Sequence, residues 1–270
     1  MSHPFRDALL LGAVQGITEF LPVSSDGHLA LFSLLFRMQE GGLTFNVMLH
    51  AGTLVATALV VRKRLKRMAA EGLLAVAQPS RFATHPGARD ALIVAVASLP
   101  TAAIGLGLRD LVDRWTHSPF VVGLGFLATS VCVASTFWVR PGTREHPSIA
   151  ATLLVGIAQG LAVLPGFSRS GATITSALWL GVRPDRAFEL SFLMSLPAVL
   201  GAIALELRHV IGQPFPAGPA LAGALVAFVT GTAALLVLRR VVATGRFGLF
   251  ALWTVPLAIA TLAMSLAWPG

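Results

Sequence analysis

Two short polar strings hold the residues of this chain that can do chemistry. The first contains Gln15, Glu19, Ser24, Ser25, Asp26 and His28; the second contains Ser168, Arg169, Ser170, Gly171 and Thr173. Gln15 and Glu19 are four apart, so on a helix they share one face. A carboxylate and a neutral amide carbonyl are donors that Mg²⁺ or Ca²⁺ accepts, with water and phosphate oxygens completing the shell. The same spacing also suits a hydrogen-bonded pair that only packs helices. Ser25 and His28, three apart, are a candidate nucleophile and base. Ser24, Ser25 and Asp26 follow Pro22 and precede a helix expected from Gly27, whose unpaired N–H groups attract anions. A Ser or Asp there also serves as an N-cap, the role expected of Asp26, because its carboxylate would repel a phosphate. Arg169 carries a planar fork suited to phosphate. Ser168, Ser170 and the helix start after Gly171 add donors. Thr173 faces the same turn or bonds its own helix backbone. The alternative for Arg169 is an internal ion pair with Glu19 or Asp26. One guanidinium, one carboxylate, hydroxyls and an imidazole suit phosphoryl transfer, where catalysis is mainly positioning and charge neutralisation.

These residues need elements to hold them, and the rest of the chain is oily. It has 270 residues, 55% of them hydrophobic and 12% charged, against roughly 25% charged in soluble domains. A single integral membrane domain over 1–270 is expected, and a phosphate reaching such a site would arrive on a lipid. The net charge of +8 does not point to nucleic acid, because the basic residues lie at the ends of apolar runs. No cleavable signal peptide is expected at the start. Cys132 lies in an apolar run and reads as a small buried hydrophobe.

Six stretches are long and apolar enough to span: Leu43–Val61, Asp90–Leu108, Pro119–Val139, Ala187–Leu207, Gly218–Leu238 and Phe247–Trp268. Two more, Phe5–Phe36 and Ser148–Val182, are interrupted by the polar strings and read as re-entrant helical hairpins. With both termini outside, fourteen Lys and Arg fall in inside segments (62–89, 140–147, 183–186 and 239–246). Five fall outside (Arg6, Arg37, Arg109, Arg114 and Arg208), and Arg169 stands in a turn. The excess belongs on the cytoplasmic side. Both strings open with Gln-Gly and reach Gly twelve residues after the Gln, 144 residues apart. The fold expected is therefore an all-α polytopic membrane protein, with six transmembrane helices and two re-entrant hairpins in an inverted-topology repeat. Residues 1–139 and 148–270 form the halves, and the broken turns meet near mid-membrane. Leu65–Ala77 reads either as an amphipathic helix on the cytoplasmic face or as a plain connecting loop. Glu189, near a helix start, complements the helix dipole.

The strings Gln15-Gly-Ile-Thr-Glu19-Phe-Leu-Pro-Val-Ser-Ser25-Asp-Gly-His28 and Leu164-Pro-Gly-Phe-Ser168-Arg169-Ser-Gly-Ala-Thr173 resemble the undecaprenyl-pyrophosphate phosphatase family, the bacitracin-resistance proteins. The resemblance also takes in Glu189-Leu-Ser-Phe-Leu-Met-Ser-Leu-Pro197 and covers essentially the whole chain. It implies a bacterial inner-membrane enzyme that removes one phosphate from undecaprenyl diphosphate and recycles the carrier lipid for cell-wall synthesis. It further implies a divalent metal, an active site on the external face and homodimers. By this likeness Glu19 matches the metal-linked glutamate and Gln15 its glutamate-or-glutamine partner. Ser25 and His28 match the reactive serine and histidine, and Arg169 the phosphate-binding arginine. Asp26 departs from the more usual Thr or Ser. With Gln15 neutral, Glu19 alone supplies the motif's charge.

Three attacking groups remain open on the sequence: Ser25 with His28 as proton shuttle, His28 itself, or water. A carrier of undecaprenyl phosphate is the competing function, since broken helices in inverted repeats are typical of transporters.

Overall fold

The computed structural model describes residues 4–36, 42–116, 118–210 and 217–267. Arg37 and Trp268, both used in the topology reading, lie outside the described residues. Among the described residues the chain is almost wholly helical: α1 (Pro4–Phe20), α2 (Ser25–Phe36), α3 (Gly42–Val60), α4 (Arg62–Ala77), α5 (Arg81–Thr84), α6 (Pro86–Gly107), α7 (Arg109–Trp115), α8 (Pro119–Ser135), α9 (Ile149–Leu161), α10 (Arg169–Trp179), α11 (Pro184–Val210), α12 (Ala217–Ala243) and α13 (Ala251–Ala267). Two short 3₁₀ turns and one isolated backbone bridge, Arg144 to Val182, complete it.

Six helices are long and apolar enough to cross a bilayer, and they coincide with the six expected spans within a few residues. Their outer faces carry large exposed hydrophobes such as Leu225, Leu252 and Leu266, as a surface facing lipid rather than water requires. The interrupted stretches are helix pairs. The 17 residues of α1, 12 of α2, 13 of α9 and 11 of α10 each fall short of the roughly 20 needed to span.

Small residues fix where these short helices sit. A Cβ on Gly12 would strike the Gly223 carbonyl, and one on Gly16 would meet the Ala227 carbonyl at 2.5 Å, so α1 lies backbone to backbone on α12. Gly156 and Gly160 play the same part where α9 packs on α6, meeting Ala97, Pro100 and Ile104. Lipid supplies no hydrophobic drive between helices, so close approach of small residues carries the packing. Each broken pair thus leans on a long helix from the other half of the chain. Phe20, Ile174, Phe188, Phe192 and Leu193, all fully buried, fill the core between them.

The expected amphipathic helix forms as α4, which packs on α6 and leaves Leu73 and Val76 exposed. Glu71 joins the two helices. Its Oε1 accepts from Arg67 Nε at 2.7 Å and its Oε2 from the Gly87 amide at 2.6 Å, at the N-terminus of α6. These bonds, Arg67 foremost, hold the Glu71 carboxyl below its ordinary value.

Asp90 does not mark the end of a span. The helix begins four residues earlier, at Pro86, and carries Asp90 into a cluster at the junction of α4, α6 and α11. Fully buried, it accepts from Arg186 Nη2 at 2.6 Å, from Arg64 Nε, and bonds His146 Nε2 at 2.9 Å. Glu189 pairs with Arg186 Nη1, so its charge is spent on a side chain and not on the helix dipole.

Two expectations follow. Asp90→Ala leaves Arg64 without its carboxylate and the buried Arg186 with Glu189 alone, and should cost about 3–5 kcal/mol of stability, read by unfolding in detergent; a loss near zero would mean the cluster rearranges freely. A carboxylate held low in the folded chain stabilises it above its unfolded range and ceases to do so as pH falls through the folded value. Glu71→Gln should therefore flatten the acid-side fall in melting temperature between about pH 5 and pH 3, against a steeper fall for the unmodified chain.

Candidate active site

The end of α1 and the start of α10 meet inside the protein. Pro22 and the turn at 21–24 stop α1 after Phe20, and Glu19 faces the gap from its last turn. Arg169 is the first residue of α10. Its Nη2 donates to Glu19 Oε1 at 2.5 Å, with side-chain exposures of 20% and 7%. The ion pair weighed as the alternative for Arg169 is therefore present, with Glu19 and not with Asp26.

The other carboxylate oxygen gathers the remaining polar groups. Glu19 Oε2 accepts from Ser25 Oγ at 2.7 Å and from Gln15 Nε2 at 3.0 Å. Gln15 Nε2 also reaches His50 Nδ1 at 3.2 Å, and that nitrogen is 3.9 Å from Glu19 Oε2. The opposite end of the amide, Gln15 Oε1, is buried and has no partner among the described residues. Asp26 lies in the first turn of α2, exposed, within electrostatic reach of His50, Glu19 and Arg169.

The two turns are built alike. Ser24 and Ser168 each stand nine residues after the Gln of their string, and Ser25 and Arg169 ten. Ser24 Oγ accepts from the Gly27 amide at 3.4 Å, and Ser168 Oγ from the Gly171 amide at 3.1 Å. The cap expected of Asp26 is thus supplied two residues earlier by Ser24, and Ser168 caps α10 in the same way. Two helix starts converge, one presenting a hydroxyl and the other a guanidinium.

Several expected ligand groups are committed elsewhere. Ser168 caps α10, donates its own amide N–H to Thr129 Oγ1 at 2.8 Å, and has Ser170 Oγ at 3.2 Å. Thr173 Oγ1 donates to the Arg169 carbonyl at 2.8 Å and lies 2.6 Å from Ser191 Oγ on α11. These groups and Gly171 shape the turn that aims Arg169; they do not touch Glu19.

His28 is not brought against Ser25. Its Nδ1 donates to the Ser24 carbonyl at 2.8 Å, and its Nε2 accepts from Trp253 Nε1 at 3.2 Å. With both ring nitrogens occupied, it offers no free nitrogen to take the Ser25 proton. The group bonded to the serine hydroxyl is Glu19.

Sequence reasoning missed His50 and Trp253. His50 had a signal, since an ionisable residue within an apolar span is a functional candidate. Trp253 had none, because an indole in a membrane helix is ordinary.

The donor set suits a hard divalent cation. Gln15 Oε1 is an uncommitted neutral oxygen one helical turn from a carboxylate, and such ions complete their shells with water and phosphate. The matching amide in the second half, Gln159, also has a buried unpartnered Oε1, but its neighbour at the Glu19 position is Val163, so only the first half offers a charged site. Among the described residues no group of three or more His, Cys, Asp and Glu is gathered to hold an ion alone.

An all-helical, multi-pass membrane protein with a buried carboxylate–guanidinium–hydroxyl centre narrows the class considerably. Residues 8–260 match the model of the bacitracin resistance protein BacA family, to which this chain belongs. It is 36% identical over 264 residues to an undecaprenyl-diphosphatase of Korarchaeum cryptofilum, covering 95% of this chain and 98% of that one. A protein of the same name from Desulfosudis oleivorans is 41% identical over 259 residues, covering 90% and 92%. One from Desulforapulum autotrophicum is 39% identical over 257 residues, covering 90% and 92%.

Removing either partner leaves a mostly buried charge uncompensated. Glu19→Gln and Arg169→Gln should each cost about 3–5 kcal/mol of stability in detergent, and the double variant less than their sum, as coupled neighbours do. Additive losses would mean that the pair is not formed in the membrane protein.

Proposed function

We propose that this chain hydrolyses undecaprenyl diphosphate to undecaprenyl phosphate and inorganic phosphate, recycling the carrier lipid of cell-wall synthesis, with bacitracin resistance as a consequence. One observation carries the reading: the Ser25 hydroxyl and the Arg169 guanidinium, from opposite halves of the chain, meet on the two oxygens of Glu19. A carrier needs the cation but has no use for a hydroxyl hydrogen-bonded to a carboxylate.

The chain's own groups supply the steps. The diphosphate takes over the guanidinium of Arg169, for which bidentate phosphate is a better-matched partner than a single carboxylate oxygen. The N–H groups at the starts of α2 and α10 add dipoles aimed at the anion. Ser25 Oγ attacks the terminal phosphorus while its proton passes to Glu19 Oε2, 2.7 Å away. The bond between that phosphorus and the bridging oxygen breaks, and undecaprenyl phosphate leaves. Water then attacks the phosphoserine, Glu19 returns its proton to Ser25 Oγ as that P–O bond breaks, and the protons of the water leave with the phosphate. His28 holds the turn that presents Ser25. Gln15 and Glu19 would hold a divalent cation, Mg²⁺ or Ca²⁺; when bound, it neutralises charge on the diphosphate.

The setting belongs to the same proposal. The two helix pairs re-enter the membrane and turn back near its middle, each half (1–139 and 148–270) inverting the other. The reciprocal packing of α1 on α12 and α9 on α6 supports this, as does the preponderance of Lys and Arg at and beyond the C-terminal ends of α3, α8, α10 and α12. Both termini and the active site face the periplasmic side of the inner membrane, and the protein is a homodimer.

Purified protein in detergent should release phosphate from undecaprenyl diphosphate. Ser25→Ala and Arg169→Ala should each lower kcat by about 10²-fold or more, and a chelator should lower it reversibly. Rapid quench with labelled substrate should leave phosphate on Ser25. Label on His28, or no labelled protein, would sink the serine mechanism; headgroup transport without any release would mark a carrier instead.

A further inference from the structure

We propose that Trp253, on the last helix, is a positioning residue that fixes His28 in one protonation state and, through it, aims Ser25. The proposal rests on the Ser25-centred reading above but assigns a function to a residue outside both polar strings.

The two partners of His28 are chemically one-sided. Its Nδ1 lies 2.8 Å from the Ser24 carbonyl oxygen and its Nε2 lies 3.2 Å from Trp253 Nε1. A carbonyl only accepts and an indole N–H only donates. The hydrogen must therefore sit on Nδ1 and the lone pair on Nε2. The other neutral tautomer sets two lone pairs against each other at Ser24, and the imidazolium sets two N–H groups against each other at Trp253. The ring planes are 11° apart, which lets the indole N–H point along the imidazole lone pair. Phe126, fully buried, presses on the imidazole edge to face at 5.5 Å and 81°.

The carbonyl so held belongs to an unusual residue. Ser24 has φ +65°, and among the described residues it is the one non-glycine in the left-handed region. Side chains disfavour that conformation, and such residues persist where their surroundings over-determine them. The Ser24 carbonyl accepts both the His28 amide at 3.2 Å and the His28 ring. It also shares its peptide plane with the Ser25 nitrogen. Rotating that plane would carry the Ser25 side chain away from Glu19, so the ring that anchors the carbonyl sets the direction of the nucleophile.

Packing alone does not account for Trp253, which is 59% exposed. Its polar atom is what reaches inward, across 225 residues of sequence, to the helix that carries the serine.

The test uses the full-length protein in detergent with ¹⁵N-labelled histidine. The His28 ring signals are assigned by their absence in His28→Gln. In the unmodified chain Nδ1 should be protonated and Nε2 bare. Trp253→Phe keeps an aromatic ring and deletes the donor; the His28 nitrogens should then shift toward a mixture of forms. kcat should fall roughly tenfold, the worth of about one hydrogen bond, while KM moves by less than about twofold. A protonated Nε2 in the unmodified chain overturns the proposal whatever the variant does. So does a Trp253→Phe protein with unshifted His28 signals and full kcat. If the unmodified protein releases no phosphate at all, the hydrolase reading fails, while the nitrogen spectra still decide whether Trp253 sets the state of His28.

Discussion

The Arg169–Glu19 ion pair is the constraint around which the rest of the molecule is arranged. An isolated charge at membrane depth is costly, and two opposite charges become tolerable when each answers the other. That requirement forces the end of α1 and the beginning of α10, 150 residues apart, to one point. Neither helix is long enough to reach that point as a span, so each must be carried there by a longer neighbour. Gly12 and Gly16 seat α1 on α12, and Gly156 and Gly160 seat α9 on α6. Each charged terminus is thereby borne by the opposite half of the chain.

The molecule holds a second buried ionic cluster, and the contrast shows what distinguishes a working site from a fastening. Asp90 is surrounded by Arg64, Arg186 and His146, and Arg186 is shared with Glu189. Its carboxylate has no oxygen to spare, and its charges balance internally. At Glu19 one arginine faces one carboxylate, a serine hydroxyl leans on it, and the Gln15 carbonyl beside it is left without a partner. The Asp90 cluster leaves only a donor without a partner, Arg64 Nη2, among its described residues, while the Glu19 site keeps an uncommitted oxygen next to an exchangeable cation and can accept a ligand. In the proposed reaction, phosphate binding is the replacement of one anion by another at the same guanidinium.

Two turns of like construction hold two different chemistries. Ser24 and Ser168 cap their helices in the same way, onto Gly27 and Gly171. One position later the halves diverge: Ser25 carries the hydroxyl where Arg169 carries the charge. They diverge again four residues after each Gln, where Glu19 corresponds to Val163. A single carboxylate between two helix starts suffices, because both starts converge on it.

Much of this was legible in residue order. Apolar runs of membrane length are a local property, so all six spans, the interruptions of Phe5–Phe36 and Ser148–Val182 and the family resemblance could be read without coordinates. Glu19, Ser25 and Arg169 stood out for the same reason, being polar groups that hydrocarbon would otherwise penalise. Their partners were only partly legible: the Gln15–Glu19 bond and an Arg169 pair with Glu19 or Asp26 stood among the alternatives, but the Ser25 bond to Glu19 did not. His28 is three residues from Ser25, and spacing made it the obvious base, yet its ring turns to the Ser24 carbonyl and to an indole 225 residues away. Asp90 looked like the edge of a span because the charges that bury it come from α4, α11 and the segment before α9. The sequence by itself determined which segments enter the membrane and which groups need an answering charge or hydrogen bond. Only the tertiary structure decided which group answers which, because hydrogen bonds and ion pairs depend on ångström distances between helices that no linear spacing encodes.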